Sequence, residues 1–187
     1  DTPKSKNDLI ILLETALKNQ LLSHDTYQMI LGVFSVSEIP VREIMIPRPH
    51  MITINVNEDL QTVINKVINS GHSRFPVVND KLDEILGILH AKDLLKYQIS
   101  TTNDFDLHDY IRPAKFIPES KRLNILLNEF KASRNHIAMV IDEHSNISGL
   151  ITLEDLIEEI IGDIDDEHDV SSKELIIQQS ASKYILD

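Results

Sequence analysis

In its last quarter the sequence reads GLITLEDLIEEI (149–160), which places a threonine hydroxyl and an aspartate carboxylate at the start of an amphipathic run. If the run is helical, Thr152 and Asp155 are three positions apart and lie on the same face. The N–H groups of a first helical turn have no partner within the helix, so this end of the run can bind a polar or anionic ligand. The same spacing matches a capping box, in which the two residues only cap the helix. The pattern alone favours capping, and the two roles are compatible.

This stretch has an earlier counterpart, GILHAKDLLKYQ (87–98). Residues 71–98 align with residues 133–160 without a gap, with Asp93 at the position of the aspartate and His90 at the position of the threonine. Internal similarity over such a length indicates one structural unit used twice. The chain therefore contains two copies of a unit that differ at the threonine.

Hydrophobic periodicity assigns the same elements to both copies. A short strand leads to an amphipathic helix, two β-branched strands form a hairpin, and a second helix closes the unit. The predicted segments are strand 51–56, helix 60–68 and hairpin 75–89 in copy one, and strand 114–117, helix 123–130, hairpin 137–151 and closing helix 153–161 in copy two. One β-α-β-β-α unit of this size buries too little to be stable alone, so we expect two copies packed sheet against sheet with pseudo-twofold symmetry. Clefts between them then lie near the N-termini of the closing helices, and residues 8–35 predict a helical hairpin before the pair.

Composition argues against several classes of function. Thirty acidic and eighteen basic side chains give a net charge of −12, which repels a polyphosphate backbone, so we expect no nucleic-acid partner. The apolar stretch 9–22 is interrupted by Glu14 and Lys18, so we expect no membrane insertion. Cysteine is absent and no secretory leader pattern is present, which makes a cytoplasmic location the default expectation. We find no P-loop, H-E-x-x-H or G-x-S-x-G motif, so an enzyme is not expected.

The repeated unit carries a family resemblance. SRFPVV, GILHAKDLL and GLITLEDL are similar to the motifs of a tandem pair of CBS domains, a Bateman module. More narrowly, VREIMIPRPHMITI and HIAMVIDEHSNISGLITLEDLIEEIIGDIDDEHD resemble the CorC/HlyC family of magnesium and cobalt efflux proteins. The resemblance implies an α+β fold with two CBS domains after an N-terminal helical segment. The implied divisions are 1–40 for the helical segment, 41–100 and 108–168 for the CBS domains, and 169–187 for a linker and the start of a CorC/HlyC transporter-associated domain.

In this family the motif implies a regulatory site for an adenine nucleotide, AMP or ATP. The carboxylate of Asp155 then accepts the ribose hydroxyls, while Thr152 and the helix N-terminus face the phosphate. Arg74 of copy one reaches the phosphates with its forked donors, although a surface arginine before a strand needs no ligand to explain it. The implied site residues are Thr53, Ser73, Arg74, Phe75, Pro76, Leu150, Thr152 and Asp155.

A second nucleotide site is expected to be weaker or empty. Its motif has His90 in place of threonine, and this bulkier side chain fills space that a ligand needs. On the opposite side, His136 is more readily explained as a hydrogen-bonded residue at the rim than as a ligand contact. The residues implied for this second site are Phe116, His136, Ile137, His90 and Asp93.

Acidic residues around the end of the closing helix are the remaining candidates for a site. Glu158, Glu159 and Asp163 lie near a helix C-terminus, where carboxylates oppose the helix dipole. One explanation is a cation such as Mg²⁺, which prefers oxygen ligands and can accompany nucleotide phosphates, and the other is a solvated charge run. DIDDEHD lacks the spacing of an EF-hand and His168 alone makes no zinc site, so no metal site is assigned.

Three functions remain to be compared. The preferred one is a regulatory module in which the nucleotide changes the angle between the repeats and reports energy or magnesium status to a membrane ion-transport protein. The alternative is a divalent-metal sensor or partner-binding module that acts through the acidic helix end without nucleotide, and an enzyme is the least supported. The resemblance also implies a homodimer formed through the CBS domains, for which apolar faces at 60–68 and 153–161 are available.

Overall fold

The computed structural model describes residues 3–79, 84–95 and 105–162, together with the backbone of strands at 177–180 and 183–185. The N-terminal segment forms two helices, α1 (Lys6–Lys18) and α2 (His24–Ser35). Ser5 caps α1 in a capping box with Asp8, and the Ser23 hydroxyl caps α2. Each cap accepts a hydrogen bond from an N–H group that the helix itself leaves unpaired, so the second helix begins directly after Ser23. The predicted helical hairpin is confirmed.

The repeated order of elements is present in both copies. Copy one contains β1 (Ile46–Pro47), β2 (Ile54–Asn55), α3 (Leu60–Ser70), β3 (Arg74–Val78) and β4 (Ile85–His90), and copy two contains β5 (Ile111–Arg112), β6 (Phe116–Pro118), α4 (Leu123–Ser133), β7 (Ile137–Ile141), β8 (Ile147–Thr152) and α5 (Leu153–Ile161). Strand β2 is shorter than the predicted 51–56: Met51 is already extended after a 3-10 turn at Arg48–His50, but only Ile54 and Asn55 pair with β3. In copy one, the residues that align with the closing helix α5 are described as far as Leu95: a 3-10 turn at Ala91–Asp93 is followed by Leu94 and Leu95, which are helical.

Two four-stranded sheets have the same arrangement, with orders β2-β3-β4-β5 and β1-β8-β7-β6. The first strand of each copy belongs to the sheet of the other copy: β1 pairs with β8, and β5 pairs with β4, both antiparallel. The register places Ile46 opposite Leu150 and Arg112 opposite Ile88. Ile46 and Arg112 therefore occupy equivalent positions in the two sheets.

The sheets pack face to face, as the sequence predicted for a pseudo-twofold pair. An apolar cluster between them joins Ile88 of β4 to Met139 of β7 and Leu150 of β8. On β7 the neighbouring residues Ala138 and Val140 point the other way, into the core beneath the helices of copy two, as the alternation of a strand requires. Helices thus cover the outer faces, and the clefts between the copies open at the strand ends.

The N-terminal segment is packed against copy two. Helix α2 contacts α5 at Gly32, where an added Cβ would overlap the carbonyl oxygen of Ile160. Val36, just after α2, is buried in the core of copy two. Among the described residues, no helix has the length and apolar character needed to span a membrane.

At the other end of the chain, strands β9 (Ile177–Ser180) and β10 (Lys183–Ile185) pair antiparallel. They lie within residues 169–187, which the resemblance assigns to the start of a further domain. The four domain boundaries stay predictions.

Candidate functional site

A cavity of about 350 Å³ lies between the copies, where the first turn of α5 faces the residues that precede β3. We call it the large cavity. Ligand pockets for small molecules have volumes from about 300 Å³ upwards, so this one is large enough for a nucleotide-sized ligand. Predicted site residues that line it are Ser73, Arg74, Leu150, Thr152 and Asp155, together with Ile137, which was predicted for the second site. Lining residues that sequence reasoning missed are Ile46, His50, Met51, Ile52, Gly71, His72 and Glu154.

Thr152 and Asp155 form a capping box at the N-terminus of α5. The Thr152 hydroxyl donates to Asp155 Oδ2 at 2.6 Å, the Thr152 N–H donates to the same oxygen at 2.7 Å, and the Asp155 N–H donates to Thr152 Oγ1 at 3.2 Å. The capping role that the pattern favoured is confirmed. Both bonds to the carboxylate use Oδ2, so within the described chain Oδ1 of this cavity-lining residue has no hydrogen bond and can accept one from a ligand.

Arg74 and Glu154 face each other across the large cavity, one from each copy. Arg74 Nη1 lies 3.8 Å from Glu154 Oε1, and the Glu154 side chain is 66% exposed. An ion pair this long and this solvated contributes little stability, so Arg74 can exchange its carboxylate partner for a ligand phosphate at small cost. The Glu154 carboxylate, in contrast, repels an anion at this place unless a cation accompanies it.

One wall of the large cavity is apolar, formed by Ile46, Met51, Ile52, Ile137 and Leu150. Such a wall can contact a purine base, whose faces are apolar. Ile46 lies in this wall on β1, which we call an exchanged strand because it belongs to copy one and pairs in the sheet of copy two. A strand of two residues shows no hydrophobic periodicity, so the sequence could not predict this strand. Met51 and Ile52 fall in the stretch predicted as a strand, and their apolar character was the only available signal.

Three residues predicted for the site do not line the large cavity: Thr53, Phe75 and Pro76. Phe75 is fully buried in the core of copy one, on the side of β3 that faces α3. Pro76 is buried within β3, opposite Ile88. Thr53 accepts a hydrogen bond from Lys66 through its carbonyl oxygen. The structure therefore brings the motif of copy two together with Ser73 and Arg74, and leaves these three outside.

A smaller cavity of about 130 Å³ shares Arg74 and Ile137 with the large one. Of the residues predicted for a second site, His90, His136 and Ile137 line it, whereas Phe116 and Asp93 do not. Residues that the sequence reasoning missed here are Arg74, Ile88, Arg112, Pro113, Lys115, Arg134 and Asn135. We call this the small cavity.

The aspartate of copy one is held by an arginine. Asp93 is almost fully buried, and its Oδ2 accepts hydrogen bonds from Arg112 Nη2 at 2.6 Å and Arg112 Nε at 3.0 Å. Burial lowers the pKa of His90, and the positive charges of Arg112 and Arg74 lower it further. Asp93 therefore pairs with Arg112, whereas Asp155, at the equivalent position of copy two, lines the large cavity.

The acidic helix end remains without an assigned role. Glu158 is exposed and Glu159 is half-buried, and Asp163 and His168 lie outside the described residues. Within the part of the chain that the structure describes, no three His, Cys, Asp or Glu side chains come together as metal ligands would. A cation and a solvated charge run therefore both stay open as explanations of this helix end.

Comparison with known proteins gives the family. The CBS domain model matches residues 41–100 and 107–162. The magnesium and cobalt efflux protein CorC of Pasteurella multocida is 42% identical over 97% of this chain, and that of Vibrio cholerae is 44% identical over 95%. This chain spans 60% and 61% of the lengths of these two relatives.

Solved structures agree with the sequence relatives. The CBS domain of a bacterial CNNM/CorC family Mg²⁺ transporter is 34% identical with a TM-score of 0.78, and covers 88% of this chain and 100% of its own. A structure of such a CBS domain in complex with ATP is 37% identical, covers 73% of this chain and 97% of its own, and has a TM-score of 0.68. A CBS-domain pair with bound AMP from Klebsiella pneumoniae is 28% identical with a TM-score of 0.57, covering 67% of this chain and 100% of its own. From the two matched domains, the identities and the shared fold, the chain belongs to the CorC/CNNM family and contains its tandem pair of CBS domains.

Proposed function

We propose that this chain is the regulatory module of a magnesium and cobalt efflux protein, and that it binds an adenine nucleotide in the large cavity. The observation that carries the proposal is a ligand-sized cavity with walls from both CBS copies, lined by an aspartate that keeps one carboxylate oxygen unbonded. The bound ATP and AMP of two structural relatives support the choice of ligand.

Each part of the ligand has a counterpart in the cavity. The ribose hydroxyls donate to Oδ1 of Asp155, the base contacts the apolar wall, and the phosphates lie at the N-terminus of α5 near Arg74. Because Glu154 carries a negative charge at the same place, Mg²⁺ bound to the phosphates offsets that repulsion. A ligand held between the copies favours one angle between them, and this angle is what a membrane ion-transport partner detects.

The test is nucleotide binding by the wild-type chain and by Asp155→Asn. At 100 times its dissociation constant, a nucleotide adds about 2.7 kcal/mol to the free energy of unfolding and raises the melting temperature by a few degrees. We expect this shift with AMP or ATP and its loss in Asp155→Asn. Asp8→Asn is the matched control, because Asp8 belongs to the equivalent capping box of α1 and lies outside the cavity.

Two results would contradict the proposal. If equilibrium dialysis showed no adenine nucleotide bound at millimolar concentration, the proposed nucleotide binding would be refuted. A stabilising shift with MgCl₂ alone, unchanged in Asp155→Asn, would instead favour the metal sensor that acts without nucleotide.

We also propose that two copies of the chain associate through their CBS domains. Ile68 of α3 is 70% exposed and Ile157 of α5 is 39% exposed, so both helices present apolar side chains to a second copy. Analytical ultracentrifugation should show a dimer that Ile68→Glu or Ile157→Glu weakens, and a monomeric wild type would refute this association.

A further inference from the structure

A glutamate and a lysine form an ion pair at equivalent positions of the two copies, but with their places reversed. In copy one Glu58, two residues before α3 begins, pairs with Lys66, the seventh residue of that helix. In copy two Lys121 and Glu129 occupy the same places relative to α4 and pair at 2.6 Å. Either order gives an ion pair, but copy one places the ammonium donor on the helix and copy two places it before the helix.

The ammonium group on α3 holds the backbone in front of β2. Lys66 Nζ donates to the carbonyl oxygen of Thr53 at 3.3 Å as well as to Glu58. Glu58 Oε1 in turn accepts a bond from the backbone N–H of Asn55 at 3.3 Å. The pair thus binds the chain at two points, one on either side of Ile54.

The corresponding carboxylate of copy two cannot donate such a bond. Glu129 instead accepts a bond from a second lysine, Lys115, at 2.6 Å. The residue of copy two at the position of Thr53 is Phe116, which is 47% exposed and is not among the described residues that line either cavity. The bond from the helix to the backbone therefore belongs to the copy whose residues 50–52 line the large cavity.

Thr53 directly follows two side chains of the apolar wall, Met51 and Ile52. Ile52 is 41% exposed, so packing against the protein interior does not by itself fix its position. On the other side of these two residues lies the 3-10 turn at Arg48–His50. The position of the wall therefore depends on how its backbone is held at Thr53.

Glu58 is held at a cost that an ordinary surface ion pair does not carry. Its side chain is 19% exposed, and its Oε2 is buried without a hydrogen-bond partner among the described residues. A buried carboxylate oxygen without a hydrogen bond is unfavourable, and such a group in a native protein calls for an explanation. Holding the wall of the cavity is an explanation that stability does not supply.

We propose that Lys66 and Glu58 are positioning residues for the large cavity, and that they hold the backbone at Thr53 so that Met51 and Ile52 contact the base of the ligand. Neither charged side chain lines the cavity, so the two act through the backbone and not by touching the ligand. The proposal rests on the nucleotide binding proposed above. It adds that affinity for a ligand with a base depends on an ion pair outside the cavity.

Reversing the two charges separates the bond to the backbone from the ion pair. Glu58→Lys combined with Lys66→Glu, the swapped variant, reproduces the order of copy two, so the pair remains while the donor to Thr53 and the acceptor for Asn55 are lost. We expect calorimetric titration to show AMP binding about tenfold weaker than in the wild type, because a charge-assisted hydrogen bond is lost. Ribose phosphate, which lacks the base, should behave alike in both proteins.

Hydrogen exchange without ligand tests the backbone directly. In the swapped variant the amides of residues 51–55 should exchange faster, while the rest of copy one keeps its protection. Lys66→Arg keeps a charged donor and should retain both slow exchange and AMP binding. The matched control is Lys6→Glu with Glu38→Lys, which should leave AMP binding unchanged. Lys6 also donates to a glutamate and to a backbone carbonyl, that of Phe34, and it lies outside both cavities.

Three results would overturn the positioning role. One is unchanged AMP binding in the swapped variant, and another is an equal loss of affinity for AMP and ribose phosphate. The third is faster exchange throughout copy one, which would indicate a general loss of structure. If the wild type bound no AMP, the proposed nucleotide function would be refuted, and the exchange rates of residues 51–55 would still decide whether the pair holds this segment.

Discussion

The large and small cavities are built from equivalent positions of one repeated unit, and they differ in the residue that the exchanged strand places beside the aspartate. In the large cavity that residue is Ile46, which lines the cavity together with Asp155 and has no side-chain group that could bond the carboxylate. Next to Asp93 it is Arg112, which binds the carboxylate directly. The comparison shows that the aspartate of the repeated motif does not decide ligand chemistry by itself, because a residue on a strand from the other copy determines whether its carboxylate is available.

The largest effect should come from breaking the ion pair of copy one. Arg112→Ala leaves Asp93 buried without the guanidinium that offsets its charge, and we expect the free energy of unfolding to fall by about 3 kcal/mol in urea denaturation. Adding Asp93→Asn to this variant should recover part of the loss. Arg42→Ala is the control, and its free energy of unfolding should stay within about 0.5 kcal/mol of the wild type. If Arg42→Ala and Arg112→Ala lost equal stability, the ion pair of Arg112 with Asp93 would not be the cause.

The second-largest loss of stability should come from substituting the two glycines at which the exchanged strands β5 and β1 closely approach β4 and β8. An added Cβ would overlap the Arg112 carbonyl oxygen at Gly87 and the Ile46 carbonyl oxygen at Gly149. Gly87→Ala and Gly149→Ala should each cost about 2 kcal/mol of unfolding free energy. Gly149→Ala should also weaken nucleotide binding by displacing Ile46, whereas Gly87→Ala should not.

The control for these glycines is Gly71, which has open space around it and left-handed backbone angles. Asparagine tolerates such angles, so Gly71→Asn should change stability by less than about 1 kcal/mol in the same urea assay. If Gly149→Ala were as mild as this control, close approach of β1 would not be the constraint.

A smaller effect on stability and binding is expected when the threonine or histidine of one motif is replaced by the residue at the same position of the other copy. Thr152→His removes the hydroxyl of the capping box, at a cost of about 1 kcal/mol, and should weaken nucleotide binding as measured by calorimetry. His90→Thr should not create a nucleotide site in copy one, because Arg112 still holds Asp93. If His90→Thr gained nucleotide binding, the histidine, and not the arginine, would be what prevents copy one from binding a nucleotide.

The smallest effect concerns pH and the charges around the small cavity. Hydrogen bonds from Lys115 and Lys121 lower the pKa of Glu129 from its ordinary 4.5. The folded state therefore holds its proton less tightly than the unfolded state, so this carboxylate stabilises the protein above pH 4.5 and loses that contribution as the pH falls through the lowered pKa. Because the side chain is partly solvated, Glu129→Gln should cost at most about 1 kcal/mol at pH 7 and less at pH 3. An equal cost at both pH values would exclude the ion pairs as its cause.

Much of the fold could be predicted from the sequence because it follows from local patterns. The repeat gave the pairing of two copies, the apolar stripes gave α3, α4 and α5, and the hairpins followed from two β-branched runs in each copy. The capping box was visible because Thr152 and Asp155 are close in sequence, and their interaction is local.

The partners of the motif could not be predicted, since they arrive on strands too short to show a period. Ile46 and Arg112 lie on two-residue strands whose pairing depends on the tertiary fold. Phe75 was expected near the ligand from the resemblance, but the alternation of β3 turns its side chain into the core.

The exchange of β1 and β5 also affects how the chain folds. Ile46 pairs with Leu150, roughly a hundred residues later, so the second sheet closes only after most of the chain has been ordered. Loop closure over such a distance costs entropy before the contact forms, which predicts slow folding for a protein of this size. Neither half is a complete folding unit, because each needs a strand that the other half supplies, and the pair should therefore fold and unfold in a single cooperative step.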